Sequence, residues 1–173
     1  MKKTILVMAT AISIFACTTP QSTTPSADDA NLATFKENAK VIESGFKAFA
    51  KNDLAEFATY VSDTVKFYGP GINDTAAIGK AALLERLAGF HKILKNVNAN
   101  IVALLPGIDS VTLKPDGAVR SYVYWESESA INGTKFNQKF YAFYKLNKDH
   151  KIVEANEFFD ASGLIAAATA PKK

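Results

Sequence analysis

Glu157 has the sequence surroundings best suited to proton chemistry. Read as an extended strand, residues 151–160 place Val153, Ala155, Glu157 and Phe159 on one face, because alternate strand side chains point to opposite sides. A carboxylate on such an apolar face loses hydration. Its charged form is disfavoured and its pKa rises. A carboxyl titrating near neutrality is a general acid or base. A bulge in the strand, or a place at a wet rim, would cancel the effect. His91 is the second candidate. It follows Leu87 by one helical turn, on the flank of an apolar stripe. It would act as donor or base beside an orienting carboxylate, or as a hydrogen-bonded structural residue. His150 falls in a turn-forming run, residues 147–150, and is expected to face solvent.

These residues must be positioned by helices first and a sheet after them. Phe35, Ala39, Ile42, Phe46 and Phe49 recur at alternating spacings of four and three, which predicts a helix over residues 32–51. Asn52-Asp53 breaks it, and Asp53 is a fitting N-cap for a short second helix carrying Leu54, Phe57 and Val61. Residues 64–68 alternate as a short strand that Gly69-Pro70-Gly71 ends. Gly79 precedes a third helix, residues 80–94, with Leu83, Leu87, Phe90 and Leu94 on its stripe.

The period then becomes two. Residues 98–105 and 110–114 read as strands, with Pro115-Asp116-Gly117 as a turn. Residues 118–129 and 134–146 form a hairpin about Asn132-Gly133, and residues 151–160 a last strand. On the hairpin, Val119, Ser121, Val123 and Trp125 share the helix-facing side with Gln138, Phe140 and Tyr144. Tyr122, Tyr124, Tyr141 and Phe143 occupy the other side, and exposed aromatics on a sheet read as an interface. After Asp160 a small, apolar, then basic tail is expected to fray over residues 165–173.

Composition narrows the function. The chain has 173 residues, enough for one domain and a tail. Two of its 20 basic residues, Lys2 and Lys3, precede an apolar run over residues 4–16, leaving near balance against 17 acidic residues. No excess remains to neutralise phosphates, so nucleic-acid binding is not expected. One Cys excludes an internal disulfide, and with two His it leaves no basis for a transition-metal site. There is no phosphate-binding glycine loop and no Gly-x-Ser-x-Gly, and no cofactor is implied.

The run over residues 4–16 is shorter than the ~20 residues a membrane-spanning helix needs, and it fits a signal peptide. It ends in Ile14-Phe15-Ala16-Cys17, which resembles the lipobox of bacterial lipoproteins. That resemblance implies removal of residues 1–16 and lipidation of Cys17, with residues 17–30 as a Thr/Ser/Pro-rich tether. The alternative is an ordinary secretory signal with an incidental Cys. The expected location is the bacterial cell envelope, on the periplasmic side or the cell surface.

The order of elements also carries a family resemblance. Asn52-Asp53-Leu54, Asp63-Thr64-Val65, the helix after Gly79, mid-strand Trp125, Lys151-Ile152 and Phe159-Asp160-Ala161-Ser162-Gly163-Leu164 together resemble the SnoaL-like group of the nuclear-transport-factor-2-like superfamily. The resemblance covers most of residues 32–164, and the domain is expected over residues 31–164. It implies a conical, cystatin-like α+β fold, with three N-terminal helices packed on a strongly curved antiparallel sheet and an apolar pocket between them. It also implies a homodimer through the outer sheet face. In SnoaL-like cyclases an Asp in a pattern like Asp160-x-x-Gly163-Leu164 serves as acid/base, which makes Asp160 a third candidate catalytic residue. Glu157 and Asp160 have opposite parity, so a regular strand cannot aim both into one pocket. Tyr60, Phe67, Tyr68, Trp125, Gln138 and Tyr144 are the expected pocket walls. Phe67 and Ala142 stand where ketosteroid isomerases of the superfamily carry their base and acid, so that activity is not expected.

Three functions fit these residues. The leading one is an anchored module that binds a small apolar or amphipathic molecule. The second is a cyclase, isomerase or dehydratase using Glu157 or Asp160 with His91. The third is a dimeric interaction protein of the envelope.

Overall fold

The computed structural model describes residues 27–172. The signal, Cys17 and most of the tether lie outside the described residues. Helix α1 (Ala27–Ala50) opens the domain, followed by α2 (Leu54–Thr59), β1 (Val61–Tyr68) and α3 (Lys80–Ile93). Strands β2 (Leu94–Ile108), β3 (Pro115–Ser129), β4 (Lys135–Leu146) and β5 (Ile152–Phe158) follow, and α4 (Ala161–Thr169) closes the chain. The α+β class and the helices-then-sheet order are as expected. Among the described residues no helix is long and apolar enough to cross a membrane.

The five strands run in the order β1-β5-β4-β3-β2. All neighbours are antiparallel except β1 and β5, which pair in parallel, so the sheet is mixed. Register shifts break β2 against β3 at three places, and such bulges bend a strand and increase its twist. The curved inner face takes α1 against β3 and β2, and α3 against β1. The core lies between these layers, around Ile42, Phe46, Phe67, Val119 and Ala142. Asn38 is buried in α1 without loss of hydrogen bonding: Nδ2 donates to the Gly117 carbonyl at 2.8 Å, and Oδ1 lies 2.6 Å from His150 Nδ1. His150 is therefore half-buried and tied to α1 rather than solvent-facing.

Several boundaries differ from the sequence reading, each for a local reason. Residues 27–30, read as tether, are the first turn of α1, where Asp28 and Asp29 favour the positive helix end. Val61 begins β1 instead of ending α2, because its amide-side neighbour Tyr60 accepts the Ile152 amide at 2.9 Å and starts the parallel ladder. Residues 110–114 form a loop, not a strand. Asp109 accepts the Val111 and Thr112 amides at 3.1 and 2.7 Å and so moves the reversal ahead of Pro115. Pro115 then begins β3, beyond the last β4 partner, where a missing N–H costs no ladder bond. Residues 165–169 do not fray. Ala168 is fully buried, Ser129 Oγ donates to its carbonyl at 2.7 Å, and Asn132 Nδ2 donates to the Ala167 and Ala170 carbonyls at 2.9 Å. A hairpin amide thus satisfies carbonyls that the helix end leaves open.

Candidate functional site

The helices and the inner sheet face enclose a cavity of about 90 Å³. Alternation along the strands decides its walls. Trp125 and Gln138 are cross-strand partners, and Phe140 and Tyr144 follow on the same face of β4. From α1, Phe46 and Phe49 reach in at helical spacing. Phe46 meets Trp125 edge to face at 5.4 Å, and Phe49 does so at 5.3 Å. Phe67 enters from β1. Edge-to-face packing is a favoured arrangement of aromatic rings and holds these walls in place.

One carboxyl breaks this apolar lining. Glu157 lies opposite Ala142, whose methyl leaves room beside it, and it lines the cavity as β5 parity predicts. Among the described residues it has neither a hydrogen bond nor an ion pair, yet its oxygens are not sealed from the cavity. Burial pushes its pKa up from 4.5 to about 8, against a weaker pull from Arg86. Arg86 is itself committed: Nη1 donates to Asp74 at 3.0 Å, and the guanidinium lies 5.6 Å from the centre of the Phe67 ring. Burial, and then the Glu157 charge, raise the Tyr144 hydroxyl well above its usual value. At pH 7 the cavity therefore holds two neutral donors on adjacent strands, an acid and a phenol.

The structure does not bring the three candidate catalytic residues together. Asp160 is exposed and caps α4, accepting the Gly163 amide at 2.8 Å and the Ser162 hydroxyl at 3.2 Å. A Cβ on Gly163 would stand 2.2 Å from Asp160 Oδ2, so the Asp-x-x-Gly spacing serves a helix cap here. His91 does not line the cavity. Its ring packs on Phe49 at 4.6 Å, and Nε2 is buried without a partner. Burial lowers its pKa from 6.5, against a hydrogen bond to the Phe49 backbone.

Of the expected walls, Phe67, Trp125, Gln138 and Tyr144 line the cavity, and Tyr60 and Tyr68 do not. Tyr60 ends α2 and donates to Glu56 Oε1 at 2.9 Å. Tyr68 follows Phe67 on the same strand and must point the other way. The sequence reading saw the α1 stripe as core and missed it as cavity wall. Periodicity identifies a buried face but not a gap against it. Arg86 was also missed. It sits one turn from Leu83 on α3, and nothing in its spacing marks it.

The comparisons with known proteins bear on this geometry. A family model described as a SnoaL-like domain matches residues 42–155, from the cavity wall of α1 into β5. The chain belongs to the SnoaL-like domain family. No curated protein matches the sequence. Among solved structures, the epoxide hydrolase/cyclase-like enzyme SalBIII, described in pyran ring formation in the polyether salinomycin, is similar with a TM-score of 0.60 at 15% identity. The match covers 73% of this chain and 93% of that one. A nuclear-transport-factor-2-like protein of unknown function from Exiguobacterium is similar at 0.57 and 17% identity, over 70% and 98% of the two chains. A Catenulispora acidiphila protein with a ketosteroid isomerase-like fold, solved in complex with trimethylamine, is similar at 0.59 and 12%, over 76% and 93%. At these identities the shared property is the SnoaL-like fold.

Proposed function

We propose that this SnoaL-like protein is an envelope lipoprotein, anchored through Cys17, whose cavity binds a compact apolar or amphipathic molecule carrying a hydrogen-bond acceptor. The observation that carries the binding reading is the neutral Glu157 carboxyl in an otherwise apolar, aromatic cavity. A carboxyl without a partner gains most from a ligand that accepts its proton in a hydrogen bond. At about 90 Å³ the cavity is smaller than the ~300–1,000 Å³ pockets that enclose drug-sized ligands. It suits a single ring, or the apolar end of a longer molecule.

Trp125 is the only tryptophan and lines the cavity, so its fluorescence reports occupancy. Titration with small cyclic ketones is expected to shift the emission in wild type and to bind more weakly in Glu157→Leu. Emission that no ligand changes, with a clean apo mass in native mass spectrometry, refutes the binding reading.

Catalysis is the second reading, favoured by one observation. An acid whose pKa is raised to about 8 in an apolar cavity is suited to protonating a leaving or developing oxygen. The likeness to SalBIII supports a cyclase-type reaction for this reading. Ligand recovered chemically unchanged after incubation favours binding alone. Product that vanishes in Glu157→Gln favours the enzyme.

The outer sheet face supports a homodimer. Tyr122 and Tyr141 pack tilted at 5.0 Å between ring centres, Tyr141 and Phe158 at 5.6 Å, and Phe158 is 58% exposed. Sedimentation that stays monomeric at high concentration would exclude it.

A further inference from the structure

We propose that the β2–β3 hairpin tip, through Val111 and Leu113, contacts the lipid bilayer to which the chain is tethered. The inference rests on the anchoring reading above. Val111 is 86% exposed and Leu113 75%, adjacent on one tip with half-exposed Ile108 at its base. The tip is fixed to the start of α1. Lys114 Nζ lies 3.1 Å from Asp28 Oδ2, and Asn31 Nδ2 donates to the Pro115 carbonyl at 2.8 Å. The chain leading back to Cys17 therefore leaves the domain beside this tip. The ten residue-to-residue steps from Cys17 to Ala27 span at most about 35 Å when extended. An anchored domain thus holds this end nearest the membrane.

Two further observations favour lipid as the occupant. Leu113 has φ 56°, in the left-handed region that glycine and asparagine occupy without strain. A leucine there bears the strain, and its exposed side chain finds little packing within the domain in return. The tip's charged groups are also engaged. Asp109 accepts two amides and the Thr112 hydroxyl, and Lys114 pairs with Asp28. What projects furthest is aliphatic, so the contact is mainly apolar.

The test uses the full acylated chain in vesicles of phosphatidylethanolamine and phosphatidylcholine. Leu113→Cys and Ile72→Cys are each labelled with an environment-sensitive fluorophore, the Cys17 sulfur being blocked by its lipid. Ile72 is 96% exposed and follows β1 at the opposite end of the sheet. Quenching by doxyl lipid is expected to be at least about threefold stronger at position 113 than at 72. Leu113→Gly is expected to raise resistance to urea while reducing quenching of a label at Val111→Cys. A chain that floats with the vesicles but shows equal, weak quenching at 113 and 72 overturns the tip contact and leaves the anchor standing. A chain that does not float and lacks acyl mass overturns both.

Discussion

The two faces of the sheet treat charge in opposite ways. On the inner face Glu157 stands without an ion pair among rings, and its pKa is pushed up to about 8. On the outer face carboxylates are paired across strands or with neighbours, Glu154 with Lys145 at 3.2 Å and Glu128 with Lys95 at 2.9 Å. The same alternation produces both. A strand cannot choose which side chain to bury once its register is fixed, so the acid at position 157 falls inside because Ala155 and Phe159 do. Surface pairs such as these contribute about 0–1 kcal/mol. A half-buried acid without a partner in an apolar lining costs stability, and a binding or proton-transfer site is where such a cost is met. Asp160 sharpens the contrast: three residues further on, an acid becomes an exposed helix cap.

The largest expected effect contrasts the rings of the two faces. Phe46→Ala should cost about 3–5 kcal/mol, because it opens a gap against Trp125, Phe140 and Tyr144. Phe158→Ala, on the outer face, should change monomer stability by no more than about 0.5 kcal/mol. Urea unfolding of both variants checks this, and equal costs would break the comparison.

The next effect is the pH dependence of Glu157. Its folded pKa lies above the unfolded value, so the native state binds the proton more tightly. Stability is unaffected below about pH 4.5, falls as pH rises towards 8, and the full cost persists above it. The loss should amount to a few kcal/mol and disappear in Glu157→Gln. His91 acts in the other direction. Its lowered pKa removes stability as pH falls below 6.5. Unfolding curves from pH 5 to 9 separate the two.

Smaller effects belong to the exposed groups. Asp160→Ala should cost about 1 kcal/mol through the lost cap and leave the alkaline pH profile unchanged. A changed profile would restore Asp160 as a proton-transfer candidate. Lys145→Ala should cost less than about 1 kcal/mol, less still in high salt.

Most of the fold was legible because its elements carry strong local signals. The α1 stripe, the Asp53 cap, the Asn132-Gly133 hairpin and the alternation of β3 and β4 all appear in the structure. The failures were tertiary. Strict alternation opposite Val153, Ala155 and Glu157 puts Ile152 on the outward face, but Leu146 pairs with Ile152 and Lys145 with Glu154, so Val153 is bulged out and Ile152 is buried. Helix α4 was missed because its alanines carry little periodicity, and its C-terminal carbonyls are satisfied by Ser129 and Asn132, distant in sequence. Glu157 was legible from parity alone. At Asp160 the structure shows a helix cap, a role that shares the Asp-x-x-Gly spacing with a catalytic carboxylate.

The central claim is that Glu157 keeps its proton near neutrality inside the apolar cavity. Carbon-13 NMR titration of the glutamate carboxyls, assigned by comparing wild type with Glu157→Gln, tests it most directly. The account predicts one resonance, absent in the variant, that titrates near pH 8. A Glu157 resonance titrating near 4.5 would mean that the carboxyl is solvated or paired, and would contradict the account.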